Sequence, residues 1–128
     1  MKLSILPDEL VVCRLAPDQE VPAWVWAWEE RALLSITYTA DELSIVCPAT
    51  VVPPGVQCQP GWRAIKVRGP LDFALTGILA SLAVPLADSG IAIFALSTFD
   101  TDYLLVSVDA LSHAREVLER AGHIFEHP

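Results

Sequence analysis

Positive charge is scarce in this chain. Eight Lys and Arg stand against 16 Asp and Glu, for a formal net charge of −8. Nucleic acids and anionic membrane surfaces both call for a basic footprint, so neither is an expected partner. Long apolar runs are missing too. The nearest approach to the about 20 residues of a membrane span lies between Leu71 and Ala87, and Asp72, Thr76, Gly77, Ser81 and Pro85 interrupt it. No basic-then-apolar leader opens the chain, because the run after Lys2 breaks at Pro7-Asp8. A cytoplasmic protein is expected. Cysteine is sparse as well. Cys13, Cys47 and Cys58 are odd in number, widely spaced and without a C-x-x-C, which reads as buried thiols in a reducing compartment.

The usual signatures of catalysis are also absent. His113, His123 and His127 fall at the far end of the chain, away from every cysteine, so no zinc site is expected. There is no G-x-S-x-G elbow and no Walker or dinucleotide glycine pattern. No enzymatic activity, cofactor or metal is expected. On their residue types alone, Asp100 and Asp102 read as solvated turn formers.

What the chain does have is apolar periodicity, with 53% hydrophobic residues in 128. Leu71, Leu75, Ile78, Leu79, Leu82 and Leu86 line one face of a 3.6-residue period, which predicts an amphipathic helix over 71–87. Gly69-Pro70 would open it, with Asp72 at the positive end of its dipole and Gly90 closing it. Gly77, then in mid-helix, would mark close packing against a neighbour. Ile91–Leu96 and Tyr103–Val108 read as strands around the polar turn Asp100-Thr101-Asp102. A last helix starts at Asp109, with Gly122 ending it and His123–Glu126 as a closing strand.

Earlier in the chain, Leu3–Leu6 and Leu10–Leu15 read as strands. Trp24, Trp26 and Trp28 fit either a period-2 strand or, with Val21 and Val25, a helix; a helix over 21–32 is the choice, with core and interface packing as the expected role of the tryptophans. Leu33–Thr39 and Leu43–Cys47 form a strand pair. Pro53-Pro54-Gly55 limits any helix in the next segment to a turn, and Val56–Gln59 is a short strand. Laid over itself with an offset of 60, the chain repeats: Ile36–Tyr38 falls on Leu96–Thr98, and Asp41–Val46 on Thr101–Val106. The expected fold is α+β, with two ferredoxin-like βαββαβ modules in tandem, antiparallel sheets carrying helices on one face. The first module (1–60) is degenerate and the second (61–128) regular.

The order strand (Trp62–Arg68), Gly-Pro turn, helix, strand, strand, helix, strand resembles the ACT domain, a small regulatory module that binds amino acids. The likeness is to the ACT domains of aspartokinases and CASTOR-type arginine sensors, and to small bacterial proteins with tandem modules. GWRAIKVRGPLDFALTGILA (Gly61–Ala80) and IAIFALSTFDTDYLLV (Ile91–Val106) carry it. The resemblance implies a small-molecule ligand, an amino acid, held between two modules in a homodimeric, non-enzymatic sensor. It assigns the ligand to the loop Gly69, Pro70, Leu71 and Asp72, and to Ser97, Thr98, Phe99 and Asp102 at the end of the second strand. Ser35, Ile36 and Thr37 are the equivalent strand edge of the first module. Backbone N–H groups and an acidic side chain would meet the carboxylate and ammonium of such a ligand. Leu71 and Phe99 suit an apolar or aromatic amino acid, which is the expected class, while Asp72 with Asp102 would suit a basic one. The first module has Ala16-Pro17-Asp18 where the Gly-Pro loop would be, so one site per chain is expected. The competing reading is a protein-interaction module, with Trp24, Trp26 and Trp28 as its surface.

Overall fold

The computed structural model describes residues 1–28, 32–72 and 74–127. In order they form β1 (Lys2–Ile5), β2 (Leu10–Leu15), β3 (Ser35–Tyr38), β4 (Leu43–Pro48), β5 (Cys58–Val67), α1 (Ile78–Asp88), β6 (Phe94–Ser97), β7 (Asp102–Ser107), α2 (Leu111–Arg120) and β8 (Ile124–Phe125). Single 3-10 turns stand at Ala23–Trp26, Ala49–Val51 and Val108–Ala110. The fold is mixed α+β, and the chain separates into two units, Met1–Pro7 with Trp62–Pro128, and Asp8–Gly61.

In the larger unit the strand order is β6-β7-β5-β1-β8. The pairs β6–β7, β7–β5 and β5–β1 are antiparallel, and β1–β8 is parallel. Period-2 alternation puts Leu3, Ile65, Val67, Leu104 and Val106 on one face, all buried. Leu82 and Leu86 of α1 and Ala114, Val117 and Leu118 of α2 close over that face. Leaving β1 aside, the order β5-α1-β6-β7-α2-β8 is the expected βαββαβ unit. The opening strand departs from a division at residue 60. Its Leu3 sits opposite Val67 and next to Phe125, between the unit's first and last strands.

The start of α1 is a second correction. The apolar spacing that predicts helix from Leu71 is interrupted by backbone conformation. Gly77 takes φ +76, a left-handed value an interior helical residue cannot hold, and α1 begins after it. Its first bond runs from the Ser81 N–H to the Gly77 carbonyl at 2.9 Å. A Cβ on Gly77 would meet nothing within 4 Å, so close packing is not what selects glycine there. A third correction concerns β5: Val56–Gln59 and Trp62–Arg68 are not two strands but parts of one, from Cys58 to Val67.

The smaller unit pairs β3 with β4, β4 with β2, and β2 with the start of β5. That is the order of the larger unit without an inserted strand. β3 and β4 each begin one residue short of the 60-residue offset from β6 and β7. What differs is the cover. Where the larger unit has helices, this one has the 3-10 turns Ala23–Trp26 and Ala49–Val51. The expected helix over 21–32 is therefore a single turn as far as Trp28, and Glu29, Glu30 and Arg31 lie outside the described residues. Trp24 and Trp28 pack on the core formed by Val11, Cys13, Leu15, Val25, Leu43, Ile45, Cys47 and Val51, while Trp26 is 57% exposed. Two large indoles thus supply apolar area that a second helical turn would otherwise bring.

Burial pushes the Cys47 thiol from 9.0 up to about 12, with its neighbours Cys13 and Cys58 adding to the rise. Cys13 is raised by burial in the same way. Below the ordinary thiol range both folded and unfolded chains keep this proton, and the stabilisation is complete. Between 9.0 and about 12 the unfolded chain releases a proton that the fold retains, so stability falls as pH rises. Urea unfolding on either side of the ordinary thiol range should show this loss, and Cys47→Ala should reduce it.

Candidate functional site

β5 leaves the sheet at Val67, and the chain turns through Arg68, Gly69 and Pro70, with a cis peptide bond between Gly69 and Pro70. The β6–β7 turn lies against this bend. The Leu71 N–H donates to the Asp100 carbonyl at 2.7 Å, and the buried Thr101 hydroxyl donates to the Val67 carbonyl at 2.6 Å. Glycine is required at 69 because a Cβ there would lie 2.9 Å from the Asp100 carbonyl oxygen and 3.2 Å from the Thr101 Cβ. The turn closes on itself as well. The Thr98 N–H donates to the Thr101 carbonyl at 2.8 Å, and the Thr98 hydroxyl donates to the same carbonyl at 3.2 Å.

After the bend, the described residues 71–72 and 74–77 lie outside any helix. The Asp72 carboxylate accepts the Ala74 N–H at 2.8 Å, and its carbonyl accepts the Leu75 N–H at 3.0 Å. This local bonding offers the backbone an alternative to helix. Asp72 therefore belongs to a turn, not to the first turn of α1. Across from it, the Ser97 hydroxyl donates to the Asp102 carboxylate at 2.6 Å.

Between the loop and the β6–β7 turn lies a cleft of about 320 Å³. Leu71, Asp72, Ser97, Thr98, Phe99 and Asp102 line it, together with Leu75, Gly77, Ile78, Leu79, Asp100 and Thr101. A smaller cleft of about 210 Å³ has Gly69, Pro70, Thr98, Asp100 and Thr101 in its walls, with Lys66 and Tyr103. Eight of the residues singled out from sequence thus border one or both clefts. Ser35, Ile36 and Thr37 are on β3, in the smaller unit. Sequence reasoning missed Leu75, Ile78 and Leu79 as cleft walls because it assigned them to a helix face turned inward. Leu75 and Leu79 are instead exposed, and Phe99 is 79% exposed. It also missed Thr101, whose hydroxyl is spent on holding the bend.

Asp72, Asp100 and Asp102 give the larger cleft three carboxylates, and no Lys, Arg or His is among its described lining residues. Its remaining walls combine the aliphatic Leu71, Leu75, Ile78 and Leu79 with the hydroxyls of Ser97, Thr98 and Thr101 and the ring of Phe99. Such a site can accept an ammonium or guanidinium group and an alkyl chain. Among the described residues no group of three His, Cys, Asp or Glu is arranged to hold a metal ion. No helix among them is long and apolar enough to cross a membrane.

Residues 57–120 match a family model described as the ACT domain. Residues 8–55 match a second model, described as an N-terminal domain. Over 60 residues the chain is 42% identical to the human cytosolic arginine sensor for mTORC1 subunit 1, covering 46% of this chain and 18% of that protein. The match thus spans less than a fifth of the curated relative's length. Among solved structures, a protein from Agobacterium tumefaciens is 41% identical with a TM-score of 0.90, covering 99% of this chain and 92% of that one. The ligand-free regulatory subunit of aspartate kinase from Thermus thermophilus is alike in fold, with a TM-score of 0.61 at 12% identity over 91% of this chain and 96% of that one.

The stitched bend makes two expectations. Gly69→Ala forces a Cβ against backbone and should lower stability by about 1–3 kcal/mol in urea unfolding. Thr101→Val removes a buried donor to the Val67 carbonyl and should cost about 1–3 kcal/mol by the same measurement.

Proposed function

Because the chain belongs to the ACT domain family, we propose that it is a non-enzymatic, amino-acid-binding regulatory protein with its ligand in the cleft between the 71–77 loop and the β6–β7 turn. The observation that carries this reading is the convergence of Asp72, Asp102, Thr98 and Phe99 on one cleft of about 320 Å³. The ligand's ammonium group meets the acidic side chains.

The excess of carboxylates over cations favours a basic ligand over the apolar or aromatic one expected from the sequence. An apolar or aromatic side chain would leave Asp72, Asp100 and Asp102 facing one ammonium group. A basic amino acid supplies a second positive charge and an aliphatic stem for Leu71, Leu75 and Leu79. We therefore take arginine or lysine as the ligand class, a choice in keeping with the similarity to a protein named an arginine sensor. The proposal extends to Ser35, Ile36 and Thr37, which the family pattern adds to the site, and to a homodimer as the acting form. The competing reading, a protein-contact module, draws on the exposure of Trp26.

Thermal unfolding against each proteinogenic amino acid tests the reading. A ligand at about 100 times its dissociation constant should add roughly 2.7 kcal/mol of stability. Arginine or lysine should produce the shift, Asp72→Ala and Asp102→Ala should abolish it, and Thr37→Trp should weaken it. Trp26→Ala should leave it unchanged. Stabilisation by leucine or phenylalanine alone would overturn the ligand class. No shift with any amino acid, together with a partner captured through Trp26, would favour the contact module.

A further inference from the structure

We propose that Cys13 and Cys58 form a redox-responsive dithiol that closes to a disulfide when the chain meets a low-molecular-weight disulfide. The argument begins with strand register. β2 and β5 are hydrogen-bonded neighbours. The Leu6 N–H donates to the Ala64 carbonyl at 2.9 Å, and further along the Arg14 N–H donates to the Gln57 carbonyl at 3.0 Å. Donors advance along the chain while acceptors retreat, so the ladder is antiparallel. Arg14 and Gln57 are then a hydrogen-bonded pair, and the next pair inward is Cys13 and Cys58.

In an antiparallel ladder, hydrogen-bonded and non-hydrogen-bonded pairs alternate, and the latter bring their Cα atoms to about 4.5 Å. Disulfides span Cα separations of roughly 4.4–6.8 Å. A Cys13–Cys58 pair of this kind has the backbone spacing a bridge needs. Both residues turn to the same face of the sheet, since Cys13 belongs to the smaller unit's core and Cys58 packs against it. Cys47 is also in this core, but it stands opposite Val11, one diagonal step from Cys13. Its thiol shares a hydrogen bond with that of Cys13. A covalent bridge asks more of the backbone, and diagonal neighbours lie roughly 7–8 Å apart, beyond the range of an unstrained one.

Access sets the sequence of events. Cys13 and Cys47 are buried, and Cys58 is half-buried. The Cys58 thiolate attacks one sulfur of glutathione disulfide, breaking that S–S bond and releasing one glutathione thiolate. Cys13 then gives up its proton to the departing thiolate and attacks the Cys58 sulfur, expelling the second glutathione. Two protein thiols are oxidised, and one glutathione disulfide is reduced to two thiols. The bridge closes the chain from Cys13 to Cys58 into a loop that holds nearly all of the smaller unit, and so restricts its unfolded state.

The test incubates the reduced full-length chain with glutathione disulfide, then digests it for mass spectrometry. A Cys13–Cys58 cross-linked peptide is expected, with loss of the two thiol hydrogens, a raised unfolding midpoint and reversal by dithiothreitol. Cys47→Ala should still form the bridge, and Cys58→Ser should neither form one nor gain stability from the oxidant. A bridge between Cys13 and Cys47, a persistent glutathione adduct on Cys58, or three unmodified thiols would each overturn the proposal.

Discussion

The close approach of Gly69 to the Asp100-Thr101 turn is the contact on which the cleft depends. Two hydrogen bonds hold it, from Leu71 to Asp100 and from Thr101 to Val67, and both run between chain segments far apart in sequence. With the bend pinned, Asp72 faces the β6–β7 turn across a fixed gap. Without it, the 71–77 loop would have little to keep it away from the helical state its sequence partly favours. Asp72 turns the loop back on itself, and Gly77 then sets the point where helix begins. The cleft is therefore a product of delayed helix formation. Leu71, Asp72, Leu75 and Gly77, which would have stood in the first two turns of α1, line it instead.

The two units use one strand order but cover it differently. In the larger unit two helices bring Leu82, Leu86, Val117 and Leu118 onto the sheet. In the smaller unit two 3-10 turns suffice, because Trp24 and Trp28 bring large side chains from very little backbone. The economy has a consequence. Among the smaller unit's described residues there is no α-helix, and so no counterpart of the bend that enters α1 in the larger unit.

Much of this was legible in the sequence. Period-2 runs marked β2, β4 and β7 to within a residue, and the internal repeat pointed to paired modules. The Gly-Pro turn and the Thr98–Asp102 stretch marked the neighbourhood of the cleft. The parts that were not legible have physical causes. Leu71 and Leu75 continue the spacing of α1 by coincidence, and periodicity cannot register a left-handed Gly77. The tryptophans fitted two periods because a single 3-10 turn satisfies neither for long. The location of the opening strand was out of reach of any local pattern, since Leu3 is selected by Val67 and Phe125, residues half a chain length or more away.

That strand carries a consequence for how the chain folds. β1 is made early, yet its ladder partners are β5 and β8, the latter among the last residues to be joined. Until β8 has formed, one edge of β1 has no ladder to complete. The smaller unit, which lies wholly between β1 and the rest of the larger one along the chain, can finish first, since its own pairings close within its own span. The larger unit is thus discontinuous in sequence, and its assembly requires a long loop closure across the residues of the smaller one.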